Sequence, residues 1–129
     1  LREYLQKFSL QTGIQCHFEG HRGSAATLSP SAEVQLTRIV QEALANVKKH
    51  APAAEVWLSV EANERVVRVV IRDNGPGFDQ SRVPHSGRYG LHTMRERAEG
   101  IGGSVLIESR ADAGTRLEVT IPLDEAKAA

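Results

Sequence analysis

The chain has 129 residues, enough for one domain that buries most of an apolar core without metal or disulfide help. Sixteen basic and sixteen acidic side chains cancel, so no broad field points to nucleic acid or an anionic membrane as the main partner. One cysteine, Cys16, excludes an internal disulfide framework and a cysteine zinc cluster, and no apolar run approaches the ~20 residues of a membrane helix.

Leu1, Leu5 and Phe8 stand at helical spacing, and Gly13 ends that first segment. Ile14 to Phe18 reads as a short strand with Cys16 as a small buried hydrophobe, and Gly20 to Ala26 as a loop. Ser29 before Pro30 is a helix start: the serine caps free amides and the proline sits where its missing N–H costs nothing. Leu36, Ile39, Val40, Ala43, Leu44 and Val47 then form one apolar stripe on a helix that runs to about His50, before Pro52. Val56, Leu58 and Val60 alternate with polar residues, and a turn at 62–64 leads into the nearly all-apolar VVRVVI, predicting a hairpin whose second strand is central.

Leu91, Met94, Ala98 and Ile101 make another helical stripe, ended by Gly102 and Gly103. Val105 to Ser109, a turn at 112–114, and alternating Leu117, Val119 and Ile121 supply a final hairpin. This order predicts an α+β fold, a two-layer sandwich with helices on one face of a mixed, mostly antiparallel sheet. Strict strand–helix alternation of the Rossmann kind is missing. Residues 1–123 are expected to form the domain and 124–129 an Ala-rich tail.

Three stretches carry chemistry. On the long helix Glu42, Asn46 and Lys49 fall within roughly 60° of one another, beside the apolar stripe. Such a row is an ordinary solvated face unless something else explains it, but Thr37, Gln41 and Lys48 already occupy the outward side. An amide oxygen suits Mg²⁺, a carboxylate orients water or a nucleophile, and a lysine meets phosphate oxygens. His50 points toward the apolar side of this row and by default is a packing residue.

The segment DNGPGF ends the central strand on Asp73, followed by Gly75 and Gly77. It is either a plain turn or a place where a flat base meets bare backbone while Asp73 grips its edge. A carboxylate only accepts hydrogen bonds, so it suits the adenine amino group and opposes the guanine carbonyl. Gly87 and Gly90 read as a flexible loop feeding the helix whose stripe starts at Leu91, either a hinge or a phosphate site at free helix amides. Arg88 lies within it. Gly114-Thr115 alone is a hairpin turn.

In their order, QEALANVKKHA, DNGPGF, GRYGLHTMRERA and AGTRLEVTIPL resemble the N box and three glycine boxes of sensor histidine kinases. The resemblance places the chain with the ATP-binding catalytic domains of the gyrase–Hsp90–histidine kinase–MutL superfamily, whose fold is the Bergerat-type sandwich. Within it, ALANVKKHA and GLHTMRERA look most like nitrate/nitrite sensors and kinases that pair with LuxR-type response regulators.

The resemblance implies that Asn46 binds Mg²⁺, Lys49 contacts phosphate and His50 borders the nucleotide. It implies that Asp73 takes the adenine amino group, with Gly75 and Gly77 making room for the base. Gly87, Arg88, Gly90 and Leu91 would lie beside the triphosphate, and Thr115 would help hold adenine. Glu42 would activate or orient the attacking group. Only Asp79 to Ser86 separate the first two glycine boxes, so the lid is expected to be short.

The phospho-accepting histidine of such kinases lies on a separate dimerisation domain, and none of His17, His21, His50, His85 or His92 has the basic and acidic flanks it needs. The chain is therefore expected to bind ATP without phosphorylating itself, and to be monomeric alone but dimeric at full length. Opening on Leu1, it is expected to be a piece of a longer protein: a cytoplasmic domain of a kinase anchored in a bacterial inner membrane. Three alternatives stay open: an ATP hydrolase or anti-sigma-type serine kinase of the same superfamily, a non-catalytic nucleotide sensor, and a plain α/β interaction domain.

Overall fold

The computed structural model describes residues 1–22, 28–52, 54–77, 85–110 and 112–123, with backbone alone for 21–22 and 85–90. The chain runs α1 (Arg2–Thr12), β1 (Cys16–Arg22), α2 (Pro30–His50), β2 (Val56–Ala62), β3 (Val66–Asp73), α3 (His85–Glu99), β4 (Ser104–Ser109) and β5 (Thr115–Pro122). The expected α+β sandwich is present. The sheet order is β1-β2-β3-β5-β4, with β1 parallel to β2 and every other neighbour pair antiparallel, so β3 is central.

Local chemistry explains most boundaries. The Ser29 hydroxyl accepts from the Ala32 amide at 3.1 Å, and Pro30 opens α2. Gly13 closes α1 with φ 77° and sends its amide to the Ser9 carbonyl. Gly102, also at φ 77°, helps turn the chain out of α3, where the Gly103 amide returns to Ala98.

Two boundaries differ from the sequence expectation. β1 covers Cys16–Arg22 rather than ending at Phe18, because it pairs with β2 residue for residue from Cys16–Val56 to Arg22–Ala62. Gly20 is thus a strand residue, and a Cβ there would strike the Phe18 ring. Residues 23–26 of the expected loop lie outside the described residues. α3 begins at His85 rather than near Leu91, so Gly87 and Gly90 belong to its first turns. Ile101 falls in the turn beyond it and still packs against the core. The lid residues 79–84 and the tail 124–129 are outside the described residues.

Cross-strand rows build the core. Val69, Val119 and Val105 are register partners across β3, β5 and β4, and Ile71, Leu117 and Ile107 form the next row. Against them lie Ile39, Val40 and Leu44 of α2 and Met94 and Ala98 of α3, with Leu5 and Phe8 of α1 in the same core. Among the described residues no polar side chain is buried. Cys16 is half-buried, and burial pushes its thiol up.

The other sheet face is polar. Arg68 pairs with Glu61 and Glu118, and Arg116 with Glu108 and Glu118. The Trp57 ring is stacked with the His17 ring at 5.4 Å and lies under the Arg72 guanidinium at 4.5 Å.

Candidate nucleotide-binding site

Beyond the apolar rows, the next row on the same face is polar: Asp73 ends β3, Thr115 begins β5 and Ser109 ends β4. The sheet therefore changes from core to site within two residues along each strand. α2 and α3 pack on one another above this end of the sheet and leave a cleft of about 370 Å³.

The cleft floor is Ile71, Leu117 and Ile107, and α3 supplies Leu91 and Met94. α2 supplies Ala43, Asn46, Val47 and His50, four positions on one helical stripe. Glu42 and Lys49 sit roughly 100° round the helix from its centre and do not form the described wall. Glu42 is half-buried and Lys49 exposed. Of the sequence-predicted residues, the structure thus brings Asn46, His50, Asp73, Gly77, Leu91 and Thr115 to one cleft. Gly87 and Gly90 lie on the backbone of the adjoining α3, and the side chain of Arg88 is outside the described residues.

Asp73 is half-buried in a largely apolar wall. Burial pushes its carboxyl above the ordinary aspartate value, opposed by hydrogen bonds from the Gly75 and Thr115 amides. The Gly75 amide donates to Oδ1 at 2.9 Å. Asn74 points elsewhere: its Oδ1 accepts from the Glu55 amide at 2.7 Å, and its own amide donates to the Glu55 carbonyl at 3.3 Å. This pair continues the β2–β3 ladder one step past Asp73 and fixes where the carboxylate stands.

Gly75 and Gly77 let protein backbone close on protein. A Cβ on Gly75 would meet Ala51 Cβ at 2.5 Å and Asp73 Oδ1 at 2.9 Å. Gly77 adopts φ 62°, and a Cβ there would run into the Arg110 and Gly114 carbonyls. The room they leave is taken by protein, so they let this turn close against Ala51 and the β4–β5 turn. Pro76 carries the same contact, its carbonyl accepting from the Asp112 amide.

Sequence reasoning missed the apolar floor and Ser109. Alternation predicts Leu117 as a core residue and the apolar run of β3 includes Ile71, but neither says that the row of Ile71, Leu117 and Ile107 stops at a cleft. Ser109 Oγ stands 2.8 Å from Thr115 Oγ1 and 3.1 Å from the Gly114 carbonyl.

A cleft of this volume with apolar walls and an acceptor at one corner suits a small flat heterocycle. Among the described residues no cluster of His, Cys, Asp and Glu could hold a metal by itself. The Asn46 carbonyl oxygen does fit Mg²⁺ that takes its other ligands from phosphate and water.

Comparison with known proteins gives the family. DegS of Brevibacillus brevis, a signal transduction histidine-protein kinase/phosphatase, is 37% identical over 95% of this chain, which spans 31% of that protein. The nitrate/nitrite sensor NarQ of Escherichia coli is 36% identical over 93% of the chain, which spans 21% of it. The chain thus spans about a third or less of these relatives. In fold it matches the histidine kinase domain of the blue-light activated kinase EL346 of Erythrobacter litoralis, with a TM-score of 0.79 at 20% identity over 98% of this chain and 60% of that one. Residues 31–125 match the family described as histidine kinase-, DNA gyrase B- and HSP90-like ATPases, and the chain belongs to that family.

Proposed function

We propose that the chain is the ATP-binding catalytic domain of a two-component sensor histidine kinase. It holds Mg·ATP with the terminal phosphate open to a histidine on a separate dimerisation domain. The observation that carries this reading is the apolar cleft closed at one corner by Asp73. Support for a kinase rather than a hydrolase or a serine kinase comes from DegS, a relative named as a signal transduction histidine-protein kinase/phosphatase.

In this reading the base lies on Ile71, Leu117 and Met94 with its amino edge toward Asp73 and Thr115. Asn46 supplies an oxygen to Mg²⁺, whose chemistry when bound is neutralisation of phosphate charge. His50, at the cleft end of α2, and Lys49, just outside it, face the phosphates together with the first-turn amides of α3 around Gly87, and Gly90 lies about one turn further along. Arg88 and Leu91 belong to the same wall. Glu42, outside the cleft stripe, orients the incoming imidazole.

The full-length protein is proposed to be a dimer, anchored in the bacterial inner membrane, that passes the phosphoryl group to a response regulator of the LuxR type. No helix among the described residues is long and apolar enough to cross a membrane. The test is radiolabel transfer from γ-labelled ATP to a dimerisation domain of a DegS-like kinase. Transfer that Glu42→Gln reduces while ATP binding persists supports the reading. Release of phosphate to water with no labelled protein contradicts it and favours the hydrolase.

A further inference from the structure

β2 and β3 stay paired for one step beyond their last register partners, Val56 and Asp73, and a side chain makes this possible. In a continued antiparallel ladder the Asn74 amide would donate to the Glu55 carbonyl, and the Glu55 amide would return to the Asn74 carbonyl. The first bond is present at 3.3 Å, but the Glu55 amide donates instead to Asn74 Oδ1 at 2.7 Å. The side chain has taken the place of its own backbone carbonyl. That carbonyl is released from the ladder, so the chain can turn at once and send the Gly75 amide back to Asp73 Oδ1 at 2.9 Å. The end of α2 backs this turn, since Gly75 packs closely on Ala51, which also lines the cleft.

We infer that Asn74 is a positioning residue for nucleotide binding: its side chain pins the end of β3 so that the Gly75 amide holds the Asp73 carboxylate at the cleft corner. The inference rests on the nucleotide-binding reading above. Asn74 is exposed and lies outside the cleft wall, so it acts through Asp73 rather than on the nucleotide. Without its oxygen only the 3.3 Å bond remains beyond Val56 and Asp73. The turn can then swing, and the carboxylate loses its fixed direction.

The experiment is calorimetric titration of this chain with Mg·ATP. Asn74→Ala is expected to weaken binding roughly fivefold, the worth of one hydrogen bond. Asn74→Asp keeps an acceptor oxygen at the same reach, and its charge on an exposed residue is screened by salt, so it is expected to restore binding. Asn74→Gln carries the oxygen one carbon too far and is expected to lose affinity as Asn74→Ala does, which keeps the test open should the alanine variant fold poorly. On an Asp73→Ala background, which removes the group being positioned, Asn74→Ala is expected to cost no further affinity.

Wild-type affinity in Asn74→Ala or Asn74→Gln overturns the inference. So does an equal loss on the Asp73→Ala background, the mark of a residue that merely stabilises the sheet end, and so does a failure of Asn74→Asp to restore binding. A wild-type chain that binds no Mg·ATP overturns the nucleotide reading itself. The two failures are thereby distinct.

Discussion

Asp73 and Thr115 are register partners at the ends of β3 and β5, and the Thr115 amide donates to the Asp73 carboxylate. Two strands that are core for most of their length thus finish as one wall of a binding corner. The carboxyl is held above its ordinary value by burial, with the two amides opposing. The folded chain therefore keeps this proton to higher pH than the unfolded chain does. Ionising Asp73 costs stability as the pH rises through the folded-state value, and that cost is fully present above it. Asp73→Asn is expected to weaken Mg·ATP binding at least tenfold while leaving the melting temperature of the free protein unchanged or raised. Calorimetry and thermal melts check this, and wild-type affinity should fall in acid as the carboxylate gains its proton.

Asn46 carries the one side-chain amide that α2 brings to the cleft among the described residues. Asn46→Ala is expected to abolish most of the affinity that Mg²⁺ adds for ATP, and to leave weak binding in chelator nearly as it is in wild type. Paired titrations with and without the metal measure the difference. Equal losses in both conditions would assign Asn46 to the base or ribose instead.

Gly77 holds φ 62°, with the Arg110 and Gly114 carbonyls where a side chain would go. Gly77→Ala is expected to lower stability by more than the about 1–2 kcal/mol of the left-handed conformation alone. Urea unfolding of the free chain reads it. A neutral result would mean that the turn has room to open, against the tight packing of this segment on the β4–β5 turn.

Met94 is fully buried and also lines the cleft. Met94→Ala is expected to cost about 2–5 kcal/mol in urea unfolding. It should also weaken nucleotide binding, since it enlarges the cavity on the side proposed for the base. Loss of stability with unaltered affinity would place the base away from α3.

Much of this was legible in sequence because the signals are local. Ser29-Pro30 opens α2, strand alternation gives the inward faces of β2 and β5, the apolar run of β3 makes it central, and Asp73 followed by glycines marks its end. What long-range pairing decides was not legible. β1 runs on through Gly20 because β2 offers it a full ladder, and no local preference in that stretch says so. α3 includes Gly87 and Gly90 although each glycine costs a helix interior about 1 kcal/mol relative to alanine. The α2 row was nearly right: Asn46 faces the cleft, but Ala43, Val47 and His50 share its stripe while Glu42 and Lys49 flank it. A helical wheel shows which residues are neighbours, and only the packing of α2 on α3 shows which of them face the cleft. Ser109 was invisible for a similar reason, since its contact with Thr115 depends on the register of β4 against β5.

The most direct measurement is a crystal structure of this chain with a non-hydrolysable Mg·ATP analogue. The account predicts the purine amino group within about 2.7–3.2 Å of the Asp73 carboxylate, and the metal beside Asn46. A base bound elsewhere, or an empty cleft at saturating nucleotide, would contradict it.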